Sequence, residues 1–305
     1  MKYVHTLPCG KPVLFRGVAT ALVTPFKNGA TDLDAFFRLV ERQLDGGAAA
    51  LVICGTTGES PTLSHDEKLA LISQAAEISD GRVPVIAGVG TNDTAASCAL
   101  SIEASFAGAD AVMTVTPYYN KATESGLISH FYAIADASPV PVIVYNVPGR
   151  TSVRLTPPIY NALAHHDNIV AVKEASGDVS LAADILAANA DTLAVYSGND
   201  ELTLPILSLG GKGVISVVSN LLPRDVALLC NDFFSGDIDS ARRRQLYLHP
   251  LIRALFAQPN PIPVKTALSA LGLCSPDLRL PLTQPDDDEP LLGVLREYLE
   301  YNPPI

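Results

Sequence analysis

Eight short apolar segments alternate with amphipathic segments along this chain, and that alternation limits its possible folds more than any other feature. The apolar segments are almost continuously hydrophobic, which is typical of strands covered on both faces. They occupy residues 17–24, 49–54, 83–89, 109–116, 140–146, 169–173, 193–196 and 213–218. The segments between them carry apolar residues at helical spacing, so the sequence predicts eight consecutive strand–helix units.

The count of eight favours an α/β protein folded as a (β/α)8 TIM barrel. A doubly wound open sheet gives a similar alternation, so periodicity alone leaves that alternative open. After residue 222 the apolar strands stop and four helical segments follow. They span residues 223–234, 237–256, 263–271 and 286–301. We therefore predict a barrel at residues 1–222 and a C-terminal helical domain at residues 223–305.

The composition of the chain argues against several classes of function. The 305-residue chain has a net charge of −11, which gives no support to nucleic-acid binding, since that needs a basic patch. No apolar run reaches the roughly 20 residues that span a bilayer. The five cysteines are odd in number and widely spaced, as expected of reduced thiols in the cytoplasm. The histidines form no metal-ligand pattern, and no glycine-rich nucleotide motif follows the first strand.

Lys173 is the most informative single residue, because it lies inside the sixth predicted strand, in Ile-Val-Ala-Val-Lys-Glu-Ala-Ser at residues 169–176. Burial disfavours the charged amine and favours the neutral, nucleophilic form. The alternative is a lysine at a strand end whose ammonium group reaches solvent. The spacing alone leaves both interpretations open.

Polar motifs also follow the second, fourth and fifth predicted strands, where the reactive groups of a barrel lie. Residues 55–59 read Gly-Thr-Thr-Gly-Glu, which suits a tight turn that binds a carboxylate through hydroxyl and N–H groups. Residues 117–120 and 145–151 add tyrosines for proton transfer and Arg150 for a carboxylate. Taken singly, each has a structural alternative: an ordinary turn, a core tyrosine or a surface arginine.

Together these motifs resemble the dihydrodipicolinate synthase family, within the wider pyruvate-dependent class I aldolases that include N-acetylneuraminate lyase. The resemblance covers almost the whole chain, from Gly17 to Leu282. Its motifs lie at residues 55–59, 117–121, 145–151, 172–177 and 259–265. Each motif is modest alone, and their order is highly specific.

The resemblance implies a Schiff base between pyruvate and Lys173. It also implies a proton relay of Thr57, Tyr145 and Tyr119, with Tyr119 supplied by a neighbouring subunit of a homotetramer, a dimer of dimers. The iminium group would act as the electron sink, so the resemblance implies no metal and no organic cofactor.

The same resemblance implies the substrate contacts. Thr56 and Thr57 would hold the pyruvate carboxylate, and Arg150 would hold the carboxylate of aspartate semialdehyde. Gly198 and Ile215 match positions that line the pyruvate pocket. The implied product is 4-hydroxy-tetrahydrodipicolinate, an intermediate of lysine and diaminopimelate biosynthesis.

A lysine-feedback site of the family is matched only in part. Its pattern is present at Ser60, His65, Asn92 and Tyr118. However, Lys68 replaces a histidine and Ala96 replaces a glutamate of the lysine-sensitive members. A cation gained and a carboxylate lost both oppose a cationic ligand. We therefore predict weak or absent inhibition by lysine.

Two other functions remain to be weighed. One is a sister lyase that acts on another 2-keto acid or sugar acid, which Arg150 together with Tyr119 argues against. The other is a catalytically silent paralogue that binds pyruvate as a sensor, which the presence of Lys173 and the whole relay argues against.

Overall fold

The computed structural model describes residues 5–301 and contains a closed barrel of eight parallel strands. The strands are β1 (Gly17–Ala21), β2 (Ala50–Ile53), β3 (Val85–Gly88), β4 (Ala111–Val115), β5 (Val142–Asn146), β6 (Ile169–Glu174), β7 (Ala194–Ser197) and β8 (Gly213–Ser216). Each strand pairs with the next along the chain, and β8 pairs with β1 to close the ring. The predicted barrel is confirmed, and the open-sheet alternative is wrong.

The strands form because both of their faces are buried. In β2, Leu51 and Ile53 pack outward among the helices, whereas Ala50 and Val52 pack inside the barrel. All four residues are at most 1% exposed. This two-sided burial explains why the sequence shows continuous apolar runs instead of the alternation of a half-exposed strand.

Helices follow the strands as the spacing predicted. They are α1 (Leu33–Asp45), α2 (His65–Ser79), α3 (Thr94–Phe106), α4 (Glu124–Ala137), α5 (Pro157–Ala164), α6 (Val179–Asn189) and α7 (Thr203–Ser208). A single helical turn, Pro148–Thr151, also follows β5. The capping box of Ser64 and Glu67 opens α2, because each side chain bonds the backbone N–H of the other residue.

Four helices follow the barrel strands: α8 (Pro223–Ser235), α9 (Ile238–Leu255), α10 (Ile262–Ala270) and α11 (Glu289–Tyr301). Helix α8 contacts β1 as well as α9. The division of the chain after residue 222 stays a prediction, since α8 packs on the barrel. Within the described part of the chain, no helix is both long and apolar enough to cross a membrane.

Two short hairpins were not predicted. One pairs His5–Thr6 with Pro12–Val13, and the other pairs Phe26–Lys27 with Ala30–Thr31. Strands of two residues are too short to produce a periodic pattern.

The amino-terminal end of the barrel is closed by aromatic and backbone contacts. Phe15 stacks on Tyr196, with ring centroids 4.1 Å apart, and the Tyr196 hydroxyl donates to the Phe15 carbonyl at 2.9 Å. Lys11 donates from Nζ to three carbonyls near the start of β6, those of Ala164, His166 and Ile169. These groups leave the opposite end of the barrel for chemistry.

Candidate active site

Lys173 lies near the carboxyl end of β6 and is 5% exposed. The alternative of a lysine that reaches solvent is therefore wrong. Burial lowers the pKa of the Lys173 amine to about 7, with a smaller lowering effect from Arg150 that Asp200 opposes. Near neutral pH a large share of this amine is uncharged, and the neutral amine is the form that attacks a carbonyl.

Gly198 provides the space beside Lys173. A Cβ atom at this position would lie 2.5 Å from Cβ of Ala175 and 3.1 Å from Cε of Lys173. The Gly198 N–H also donates to the Glu174 carbonyl at 2.7 Å, so the backbone cannot move away freely. Ile215 of β8 is fully buried inside the barrel. That Gly198 and Ile215 line the pyruvate pocket stays a prediction.

Tyr145 is the neighbour of Lys173 across the β5–β6 ladder. The Lys173 Nζ atom lies 4.3 Å from the centroid of the Tyr145 ring. Burial raises the pKa of the Tyr145 hydroxyl, while Arg150 and a hydrogen bond with the Thr56 hydroxyl act in the opposite direction. The phenol keeps its proton at neutral pH and lies beside a nucleophilic amine, so it can relay protons to and from that site.

The two threonines of the turn at residues 55–59 have different partners. Thr56 contacts Tyr145, whereas the Thr57 hydroxyl accepts a hydrogen bond from the Asn260 amide at 2.9 Å. The predicted relay placed Thr57 beside Tyr145, and the structure places Thr56 there instead. Adjacent residues in a tight turn point in different directions, which their order in the sequence cannot reveal.

Asn260 is a site residue that sequence reasoning missed. It is 7% exposed, and its carbonyl oxygen accepts a hydrogen bond from Arg150 at 3.0 Å. Asn260 therefore links Thr57 to Arg150, although these partners lie 203 and 110 residues away along the chain. The motif at residues 259–265 was the available signal, but nothing in its spacing indicates those contacts.

A cavity of about 300 Å³ lies beside part of this site. It is lined by Thr56, Tyr145 and Arg150, together with Ser60, Lys68 and Tyr118. Among the described residues that line it, two are cationic and none is a carboxylate. The cavity therefore attracts small anions, although the chain as a whole carries a net negative charge.

Tyr119 does not lie with the other predicted relay residues. Its side chain is 93% exposed, and its backbone is in the left-handed region at φ 72°. A bulky residue rarely adopts this conformation without an external reason. Within one chain the site therefore contains Lys173, Tyr145 and Thr56, while Tyr119 points away from it into solvent.

The arrangement provides a buried amine with a pKa of about 7, a phenol beside it and hydroxyl and guanidinium groups that can hold carboxylates. These are the parts needed for Schiff-base chemistry on a small keto acid. Among residues 5–301 no cluster of three or more potential metal ligands occurs.

Comparison with known proteins agrees with this geometry. A sequence profile of the dihydrodipicolinate synthetase family matches residues 14–292. The 4-hydroxy-tetrahydrodipicolinate synthase of Geobacter sulfurreducens is 48% identical over 287 residues, which cover 93% of this chain and 99% of that protein.

Solved structures give the same result. The dihydrodipicolinate synthase of Thermotoga maritima superimposes with a TM-score of 0.91 at 45% identity, covering 93% of this chain and 98% of that one. A structure described as the first monomeric dihydrodipicolinate synthase variant also has a TM-score of 0.91 at 45% identity, with 93% and 97% of the two chains covered.

Proposed function

This chain belongs to the dihydrodipicolinate synthetase family, and we propose that it condenses pyruvate with aspartate semialdehyde to give 4-hydroxy-tetrahydrodipicolinate. The chain is an enzyme of the lyase class, with a role in lysine and diaminopimelate biosynthesis. The observation that carries the proposal is the Lys173 amine, which is buried beside Tyr145 with a pKa of about 7.

The first half of the reaction takes place on Lys173. The neutral amine attacks the pyruvate ketone, and the resulting carbinolamine loses water to form an iminium ion. Tyr145 supplies and removes the protons of these steps, with the Thr56 hydroxyl as its partner. The pyruvate carboxylate lies against the turn that contains Thr56 and Thr57. The iminium ion then accepts the electron pair of a methyl C–H bond, and the lost proton leaves an enamine.

The second half forms the carbon–carbon bond. The enamine carbon attacks the aldehyde, whose oxygen takes a proton, and the iminium ion forms again. Arg150 orients the aldehyde by binding its carboxylate, and the Asn260 carbonyl holds the guanidinium group in place. The substrate amine then attacks the iminium carbon, closes the ring and displaces Lys173 as a free amine.

Tyr119 completes the relay from a second copy of the chain. Its 93% exposed ring and left-handed backbone suit a residue that is placed for a partner molecule and not for its own site. We therefore propose a homotetramer built as a dimer of dimers, in which each Tyr119 reaches the cavity of its neighbour. A cytoplasmic location stays a prediction from the number and spacing of the cysteines.

The proposed reaction is tested by turnover of pyruvate with aspartate semialdehyde, coupled to the next reductase. The native chain should be active, the Lys173→Ala variant should lose activity, and Lys212→Ala on the loop before β8 should keep it. Trapping with borohydride should attach pyruvate to the native chain and to Lys212→Ala but not to Lys173→Ala. If pyruvate is trapped but aspartate semialdehyde is not consumed, the sister-lyase alternative replaces this proposal.

The shared tyrosine is tested by mixing two inactive variants, Tyr119→Phe and Lys173→Ala, under conditions that exchange subunits. A mixed oligomer contains sites with an intact Lys173 from one subunit and an intact Tyr119 from the other, so activity should return. Mixed oligomers without activity, or a fully active monomer in sedimentation, would contradict the shared site.

A further inference from the structure

A buried ion pair joins the turn at residues 55–59 to the C-terminal helices. Nζ of Lys265, on α10, lies 2.7 Å from Oε1 of Glu59, and the two side chains are 0% and 1% exposed. The second oxygen, Oε2 of Glu59, accepts a hydrogen bond from the Arg279 backbone N–H at 3.1 Å. Lys265 also lies over the Phe26 ring, 4.2 Å from its centroid. The carboxylate thus has partners on both oxygens.

Stability alone does not explain such a pair. Removing two charges from water is costly, and replacing a buried ion pair by apolar residues of similar size is often neutral or stabilising. What a fully bonded ion pair provides instead is a fixed position, because the ammonium group and the carboxylate tolerate little displacement once both are desolvated.

Glu59 is well placed to fix the turn. Its backbone is left-handed at φ 55°, a conformation that is unfavourable for a residue with a Cβ atom. The Glu59 N–H donates to the Thr56 carbonyl at 3.1 Å, and the Gly58 N–H donates to the Gly55 carbonyl at 3.1 Å. If the Glu59 side chain lost its partners, the strained backbone could relax and the threonines bonded through this turn would move with it.

The turn has a second anchor on the same C-terminal segment. Asn260 donates to the Thr57 hydroxyl, five residues before Lys265 along the chain. The two contacts hold neighbouring points of one turn, on a segment that also contacts Arg150. The position of the carboxylate-binding turn therefore depends on residues that lie outside the ring of strands.

We propose that Glu59 and Lys265 are positioning residues for pyruvate: their ion pair holds the turn so that the Thr56 and Thr57 hydroxyls face the keto acid. The inference rests on the proposed function for the identity of the keto acid. It goes beyond that function because it makes pyruvate binding depend on a contact between the turn and the C-terminal helices. Neither residue touches the reacting atoms.

The main test uses a double variant, Glu59→Leu/Lys265→Met, which removes both charges and leaves no unpaired ion in the interior. Its melting temperature should stay close to that of the native chain. Its kcat/KM for pyruvate should fall by about 10- to 100-fold, since small misplacements of binding groups cost this much. The KM for aspartate semialdehyde should change by less than about twofold, because Arg150 and Asn260 are intact.

Two further variants keep the test decisive if the double variant folds poorly. Lys265→Arg keeps the charge and should retain most of the pyruvate affinity. Glu59→Gln keeps the shape and one acceptor but removes the counter-ion of Lys265, so its melting temperature should fall. Its KM for pyruvate, which does not depend on the folded fraction, should rise. The control is Asp232→Asn, which breaks the 2.7 Å contact with Arg244 between α8 and α9 and should leave both KM values unchanged.

Borohydride trapping over a range of pyruvate concentrations separates this inference from the proposed function. It measures imine formation without the second substrate, so it reports on the turn even if another aldehyde is the true partner. Normal trapping and a normal KM for pyruvate in a folded double variant would overturn the inference. A fall in apparent kcat in proportion to the unfolded fraction, with the KM for pyruvate unchanged, would also overturn it, since that is a purely structural effect.

Discussion

The two ends of the barrel use similar residue types in opposite ways. At the amino-terminal end, Lys11 gives its ammonium group to three backbone carbonyls and Tyr196 gives its hydroxyl to Phe15. At the carboxyl end, Lys173 and Tyr145 are also buried, and burial displaces both of their pKa values. Tyr145 lines a cavity, and Lys173 lies against the Tyr145 ring. A buried lysine or tyrosine is structural where backbone carbonyls accept its hydrogen bonds, and it is reactive where they do not.

This difference shows that burial by itself does not mark a functional lysine. The half-buried Lys11 has a lowered pKa as well, but its donors are occupied by carbonyls near the start of β6. Lys173 instead has the ring of Tyr145 beside it, and Tyr145 lines the cavity. The comparison leads to five expectations, ordered by the expected change in turnover.

Removing the phenol at the carboxyl end should have the largest effect. Tyr145→Phe keeps the ring beside Lys173 and deletes only the proton carrier, so kcat should fall by about 10²- to 10⁴-fold. The matching change is Tyr196→Phe on the strand at the other side of Lys173; it deletes a hydroxyl that is bonded to Phe15 and should leave kcat unchanged. Steady-state kinetics of both variants checks this, and equal losses would remove the distinction between the two ends.

The two threonines of the turn should respond unequally. Thr56→Val breaks the contact with Tyr145 and should lower kcat by about 10- to 100-fold, the size expected when one buried hydrogen-bonding group loses its partner. Thr57→Val breaks the contact with Asn260 and should act mainly on the KM for pyruvate. A larger loss of kcat for Thr57→Val would restore that residue to the relay.

The pH profile should report the lowered pKa of Lys173. Below its pKa of about 7 the amine is protonated and cannot attack. The value of kcat/KM for pyruvate should therefore fall about tenfold per pH unit on the acid side. Above that pKa the amine is neutral, so the profile should level off. A fall in kcat/KM that already begins near pH 9 or above would show that burial does not lower the pKa of the Lys173 amine.

Lysine added to the assay should change the rate by less than about twofold up to millimolar concentration, because Lys68 repels a cation. Lys68 lines the same cavity as Thr56 and Tyr145, so its charge acts near the substrates as well. The double variant Lys68→His/Ala96→Glu, with the family's residues at both places, should gain inhibition by lysine. Strong inhibition of the native chain below millimolar concentration would contradict the prediction.

A change at the amino-terminal end should leave turnover per folded molecule unaffected. Phe15→Ala removes the ring stacked on Tyr196 and should lower the free energy of unfolding by about 3 to 5 kcal/mol. Denaturant unfolding measures the loss, and active-site titration with pyruvate and borohydride corrects the rate for the folded fraction. A corrected rate that falls tenfold would show that this end also shapes the site.

Much of the fold could be predicted from sequence because buried parallel strands leave a local signal. Six of the eight barrel strands fall inside predicted segments, and β6 and β7 extend one residue beyond theirs, to Glu174 and Ser197. The predicted segment at residues 17–24 continues past the end of β1 at Ala21. Apolar composition identifies a strand, but it does not show where the ladder ends. The four C-terminal helices were likewise predicted to within a few residues.

The site could be predicted only in part, since its geometry is not local. Lys173 stood out because a charged residue inside an apolar strand is rare. Thr56 and Thr57 could not be told apart, because the direction of each side chain depends on the turn. Asn260 and Lys265 were missed because their partners lie more than 100 residues away, and no periodicity encodes such contacts.

The contacts of Asn260 and Lys265 also determine when during synthesis the enzyme can become active. A ribosome adds about 5–20 residues per second, and folding can begin while the chain is still emerging. The eight strands are complete at Ser216, well before either anchor of the threonine turn has been made. A chain that stops in between has the catalytic lysine but lacks both anchors of its binding turn, so we expect a prematurely terminated chain to bind pyruvate poorly.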